Sequence, residues 1–141
     1  NSPVIKVSHG SFDTHENQSW RHNDLLADLS MAISDTRKQL IKMDEWQNTL
    51  IMTYSEFGRA AYENASKGTD HGTAAPHFLI GGGVQGGFYG KQPSLNNLED
   101  GDMVFTTDYR SFYDTILGSW FSINNNKFSE FNMPGLQKII L

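Results

Sequence analysis

Apolar positions in this chain fall into one long helical period and several short runs. Leu25, Leu29, Ile33 and Leu40, with Thr36 filling the stripe, recur every three or four residues, while Asp28, Asp35, Lys38 and Lys42 lie on other faces. That spacing predicts an amphipathic helix over residues 23–43, with Asn23 or Asp24 as its N-cap. Residues 4–8, VIKVS, are rich in β-branched side chains and follow Pro3, which predicts a first strand. The apolar runs at residues 49–54 and 76–83 predict two more strands, the earlier one short enough to be buried on both faces as in a parallel sheet. Residues 86–90 read as a short strand or turn, and residues 91–106 as a loop. Asp108 is placed to cap a helix over residues 109–121, with Phe112, Tyr113, Ile116, Leu117 and Trp120 as its apolar stripe. Asn124, Asn125 and Asn126 mark a turn before a short amphipathic tail.

A strand, a helix and a strand in series predict a right-handed βαβ crossover and an α/β fold. Both strand exits, Asp13/His15 and Ser55/Glu56, would then lie on one sheet edge, where open α/β sheets collect their ligands.

Length and charge narrow the classes. The chain has 141 residues, one domain's worth, and a net charge of −5 without a Lys/Arg run, which argues against nucleic-acid binding. The apolar runs are too short to span a bilayer. Without cysteine there is neither a disulfide framework nor a thiolate metal site. The start at Asn1-Ser2-Pro3 reads as a processed chain or a fragment of a larger one.

The residues suited to chemistry are Asp13, His15, Glu56, Asp70 and His71, oxygen and nitrogen donors from three loops. Carboxylates with imidazoles suit Zn, Mn, Mg or Ca, according to the histidine share. The plainer alternative makes Asp13 and Asp70 turn residues and His15 and His71 surface histidines. Glu56, directly after an apolar run, would need a compensating cation, and Arg59 is close enough in sequence to be that partner. His22 reads as a helix-start residue or an orienter of a ligand. Gly81-Gly82-Gly83 lacks the Lys-Ser/Thr that completes a phosphate loop and more simply allows a tight strand exit.

Ordered motifs carry a family resemblance. Gly10-Ser11-Phe12-Asp13-Thr14-His15, Ser55-Glu56-Phe57-Gly58-Arg59, Gly68-Thr69-Asp70-His71-Gly72, the run from Gly81 to Gly90, and Thr107-Asp108-Tyr109-Arg110-Ser111-Phe112-Tyr113 resemble a sulfatase-like family catalogued as domain of unknown function 1501, within the alkaline phosphatase superfamily. The resemblance covers residues 4–121. It implies the C-terminal half of a three-layer α/β/α fold with a mostly parallel sheet, either as a single domain over residues 1–141 or as part of a larger catalytic domain. It implies a site for two divalent metals, the first held by Asp13, His15 and His71. The second would fall where Ser55-Glu56 stands, with one histidine fewer than the superfamily places there. The superfamily's nucleophilic Ser or Thr lies in its N-terminal half.

The expected function follows from that resemblance: part of a metal-dependent hydrolase of phosphate or sulfate esters, inactive alone, and exported or periplasmic. The alternative is a non-catalytic exported or surface protein with at most a structural metal. Expected partners are a small ester substrate, and either the missing half of the parent or a second copy of the chain.

Overall fold

The computed structural model describes residues 4–123. In chain order these form α1 (Gln18–Lys42), β1 (Leu50–Met52), β2 (Gly58–Arg59), β3 (His71–Gly72), β4 (Leu79–Gly81), β5 (Leu98–Glu99), β6 (Asp102–Met103) and α2 (Tyr109–Thr115), which runs on into a π-helical turn, Ile116–Trp120. The expected turn at residues 124–126 and the tail lie outside the described residues.

The parallel three-layer sheet is not what forms. Every strand pair is antiparallel: β1 with β4, β2 with β3, β5 with β6. The fold is one long helix beside short two-stranded ribbons. The physical reason begins at residues 4–8, which form no strand. Val4, Ile5 and Val7 stand 80–83 % exposed. β-branched content makes a segment compatible with a sheet but does not supply an edge to pair with. Without that first strand there is no βαβ unit. The apolar run at Leu50–Met52 instead pairs with the returning chain, Leu50 opposite Gly81, Ile51 opposite Ile80 and Met52 opposite Leu79.

The ribbons are nested. Between β1 and β4 the chain folds back on itself through β2 and β3, with Gly58 opposite Gly72 and Arg59 opposite His71. Backbones approach closely here: a Cβ on Gly58 would overlap the Ala74 carbonyl. The β5–β6 hairpin docks beside the inner ribbon, where the Thr73 hydroxyl donates to Met103 O at 2.7 Å and Ala61 N–H donates to Gly101 O at 3.4 Å.

α1 begins five residues before the position its periodicity predicts, because its first turn is capped from a distance. Asn17 carries no side-chain cap and adopts φ 45°. The N–H groups of Asn17 and Gln18 donate to Ser66 O (3.0 Å) and Lys67 O (2.8 Å), so a distant turn satisfies donors that would otherwise be orphaned. At the other end Asp44, at φ 59°, closes the helix in the left-handed region. α2 is capped as expected: the Asp108 carboxylate accepts from Arg110 N–H at 2.8 Å and from the Arg110 guanidinium at 2.7 and 2.9 Å.

The interior is thin. Among the described residues the buried apolar side chains are Ala74 and Ile116, and the buried polar ones are Thr14, Ser111 and Thr115. No residue of α1 is fully buried. What holds the loops carrying Asp13, His15 and His71 in place is therefore hydrogen bonding more than apolar packing.

Candidate metal centre

Thr14 anchors the loop that carries Asp13 and His15. Its side chain is 1 % exposed, and its hydroxyl oxygen accepts from Gln18 Nε2 at 2.8 Å. The same amide donates to Thr69 Oγ1 at 3.0 Å, and Thr69 N–H donates to Thr14 O at 3.4 Å. The residue before His15 is thus tied to the residue before Asp70. With Thr14 turned inward, Asp13 and His15 remain outside it, about half exposed, and meet His71.

The meeting is close. His15 Nε2 and His71 Nε2 each lie 2.9 Å from Asp13 Oδ1, and the two nitrogens are 3.2 Å apart. These three residues form a group whose ligand atoms all fall within 4.8 Å of one another.

Asp70 stands behind the group. Its Oδ1 lies 3.2 Å from His15 Nδ1, the ring nitrogen pointing away from the cluster. Asn64 fixes that carboxylate. Its Nδ2 donates to Asp70 Oδ1 (3.2 Å) and to His15 O (3.0 Å), while its Oδ1 accepts from Ser66 N–H (3.0 Å) and Gly68 N–H (3.1 Å). Gly68 is required by space, since a Cβ there would overlap the His15 carbonyl. The chain Asn64–Asp70–His15 has the form of the outer hydrogen bonding that orients metal-binding histidines.

Electrostatics follow from these contacts. The Asp13 carboxyl is held below its ordinary range, first by the hydrogen bond from His71 and then by the charges of His15 and the contact with Arg59. Asp70 is lowered by the hydrogen bond from Asn64 and then by His15. If His15 Nδ1 carries the proton facing Asp70, neutral His15 presents a lone pair at Nε2. A lone pair 2.9 Å from a carboxylate oxygen and 3.2 Å from a second imidazole nitrogen repels both unless a proton or a metal ion lies among them.

Glu56 does not join this group. It is exposed, as are Tyr54 and Ser55 before it, so the buried carboxylate expected after β1 does not arise. The expected Arg59–Glu56 pair gives way to another. Arg59 Nη2 donates to Asp13 Oδ1 at 3.1 Å and to Phe12 O, and Nη1 donates to Thr69 O at 2.8 Å. Phe57 stacks on the His71 ring at 3.7 Å and 8°. Asn64, Phe57 and the role of Arg59 escape sequence reasoning. The ordered run Ser55–Arg59 holds two of them, but nothing in it names a partner nearly fifty residues upstream. His22, weighed as an orienter, packs edge-on against Phe12 at 5.8 Å, and its buried Nδ1 finds no hydrogen-bond partner among the described residues.

An open groove of ≈ 410 Å³ reaches Asp13, walled by Ser11, Trp20, Arg21, Asp24 and Leu25. Among the described residues no helix is long and apolar enough to cross a membrane. No curated protein and no solved structure matches the chain. A family model does match, over residues 1–129, and by that match the chain belongs to the family described as Protein of unknown function (DUF1501).

Proposed function

We propose that Asp13, His15 and His71 hold one divalent metal ion, with Asp70 and Asn64 orienting His15, and that the site serves hydrolysis of phosphate or sulfate esters. The observation that carries the metal is the convergence of two imidazole Nε2 atoms and one carboxylate oxygen, with an orienting carboxylate behind one imidazole. Two imidazoles favour a transition metal of the zinc or manganese class over Mg or Ca. When bound, such an ion supplies Lewis-acid polarisation of an ester oxygen. This chain's residues hold the ligands open to solvent on the Asp13 side, where the groove gives a substrate its approach.

The ester assignment, and with it an exported setting, is supported by the ordered motifs that resemble sulfatase-like sequences; the antiparallel ribbons lend it nothing. In this reading the nucleophilic Ser or Thr is the one that the resemblance assigns to the superfamily's N-terminal half, and this chain alone is expected to turn over no ester. A second reading is a metal-holding protein without catalysis. It is favoured by the exposure of the three proposed ligands, 47–54 %, since bulk solvent weakens the electrostatic stabilisation that a catalytic centre relies on.

Metal analysis of the purified chain after loading with Zn or Mn tests the first half. About one equivalent, lost in His71→Ala, is expected, and no retained metal in the intact chain would sink the proposal. A panel of phosphate and sulfate esters tests the second half. Turnover by this chain that disappears in His71→Ala would overturn the expectation that the nucleophile lies elsewhere.

A further inference from the structure

The geometry points to Arg59 as the positioning residue of this site, acting through the shape of its guanidinium fork and not through its charge; the inference rests on the metal reading above. Arg59 is the least exposed charged group there, 18 % against 54 % for Asp13. Its two terminal nitrogens reach the carbonyl of Phe12, the carbonyl of Thr69 and the carboxylate of Asp13. Phe12 precedes Asp13, and Thr69 precedes Asp70 and His71. One side chain therefore holds the backbone that leads into both ligand segments.

It also bears on His71 through the Phe57 ring. The Arg59 Cζ lies 5.1 Å from the centroid of Phe57, and the Phe57 ring is the one stacked on His71. A planar fork can span two carbonyls and a carboxylate at once, whereas a lysine offers a single point charge on a flexible stem.

Charge and shape predict opposite signs. Arg59 donates to Asp13 Oδ1, the oxygen that both histidines face. As a mere counter-ion it would compete with a metal cation, and its removal would tighten metal binding. As a fork it holds the ligand segments in register, and its removal weakens binding.

Co(II) titration of the full chain, read by visible absorption, separates the two. In Arg59→Lys and Arg59→Ala, Co(II) affinity should fall by about 10–100-fold, the range for loss of an outer partner, with far-UV circular dichroism unchanged. His71→Ala should lose the Co(II) bands. Wild-type affinity in Arg59→Lys, or tighter binding in Arg59→Ala, overturns the inference and leaves the metal reading standing. If Arg59→Ala fails to fold, Arg59→Lys alone decides. Should wild type show no Co(II) bands, the metal reading falls, and Arg59 is judged in the metal-free chain by amide exchange at Thr69, whose N–H crosses to Thr14 O. Faster exchange in Arg59→Lys upholds the positioning role, and unchanged exchange overturns it.

Discussion

Arg59 and His71 are direct partners across the β2–β3 ribbon. Opposed residues in an antiparallel pair project to the same side, so the ribbon presents a cation and an imidazole together, with the Phe57 ring close to both. The loop bearing Asp13 and His15 arrives at that side from more than forty residues upstream and is received there by the Arg59 fork. The site is thus a seam between two distant segments.

Removing a ligand and removing its orienter should differ in degree. Asp70→Ala should weaken metal binding by about 10–100-fold, as loss of an outer hydrogen-bond partner does. His15→Ala should cost more than that. Isothermal titration with Zn would check the ranking. An Asp70→Ala loss as large as that of His15→Ala would make Asp70 a ligand in its own right.

Acid should loosen the seam. Asp13 and Asp70 have folded values below the ordinary 3.8. A carboxyl lowered on folding contributes stability that is present above its unfolded value and is lost as pH falls through the folded one. Both groups are exposed, so each effect is modest. Thermal melts of the metal-free chain should decline on the acid side of 3.8, less steeply in Asp13→Asn. Identical acid-side slopes for the two proteins would count against the His71–Asp13 hydrogen bond.

Gly68→Ala should strain the seam from behind, because the added carbon meets the His15 backbone. Overpacking of this kind costs about 1–3 kcal/mol. Chemical denaturation would measure it, and metal affinity should fall with it. A neutral Gly68→Ala would show that the 64–68 turn can move away from His15.

The isolated chain is expected to associate. Tyr54 (50 %) and Phe78 (51 %) are half exposed, and Phe88 is fully exposed. Large apolar side chains left in water favour association where they adjoin one another. Light scattering in dilute buffer should report a mass above that of one chain. A monodisperse 15.9 kDa particle would refute this.

Local signals were legible in the sequence and distant ones were not. Asp108 caps α2 with a partner two residues away, so the helix start could be read directly. The first turn of α1 depends on the carbonyls of Ser66 and Lys67, which no window around Asn17 contains. Short apolar runs at residues 50–52 and 79–81 announced strands but not their direction, and the antiparallel pairing removed the sheet edge on which the site was expected to assemble. Asp13, His15 and His71 nevertheless lie together, whereas Glu56, suggested both by burial and by the resemblance, stands exposed and outside that group. Arg59 had a carboxylate three residues away and took one forty-six residues away instead, because β2 points it toward the Phe12 loop.

The nested ribbon has a consequence for engineering. Thr53 N–H donates to Phe78 O at 3.0 Å, and Phe78 N–H returns to the Thr53 hydroxyl at 2.8 Å. The segment between them therefore leaves and re-enters the molecule at one point, like a cartridge with adjacent terminals. Segments with neighbouring ends can be exchanged with little displacement of what flanks them. This cartridge carries Arg59, Asn64, Asp70 and His71 but not Asp13 or His15. Its transplantation would move one proposed ligand, His71, with the residues that brace it, and the other two could be returned as a separate peptide spanning residues 10–17, turning recovery of metal affinity into a readout of two parts meeting.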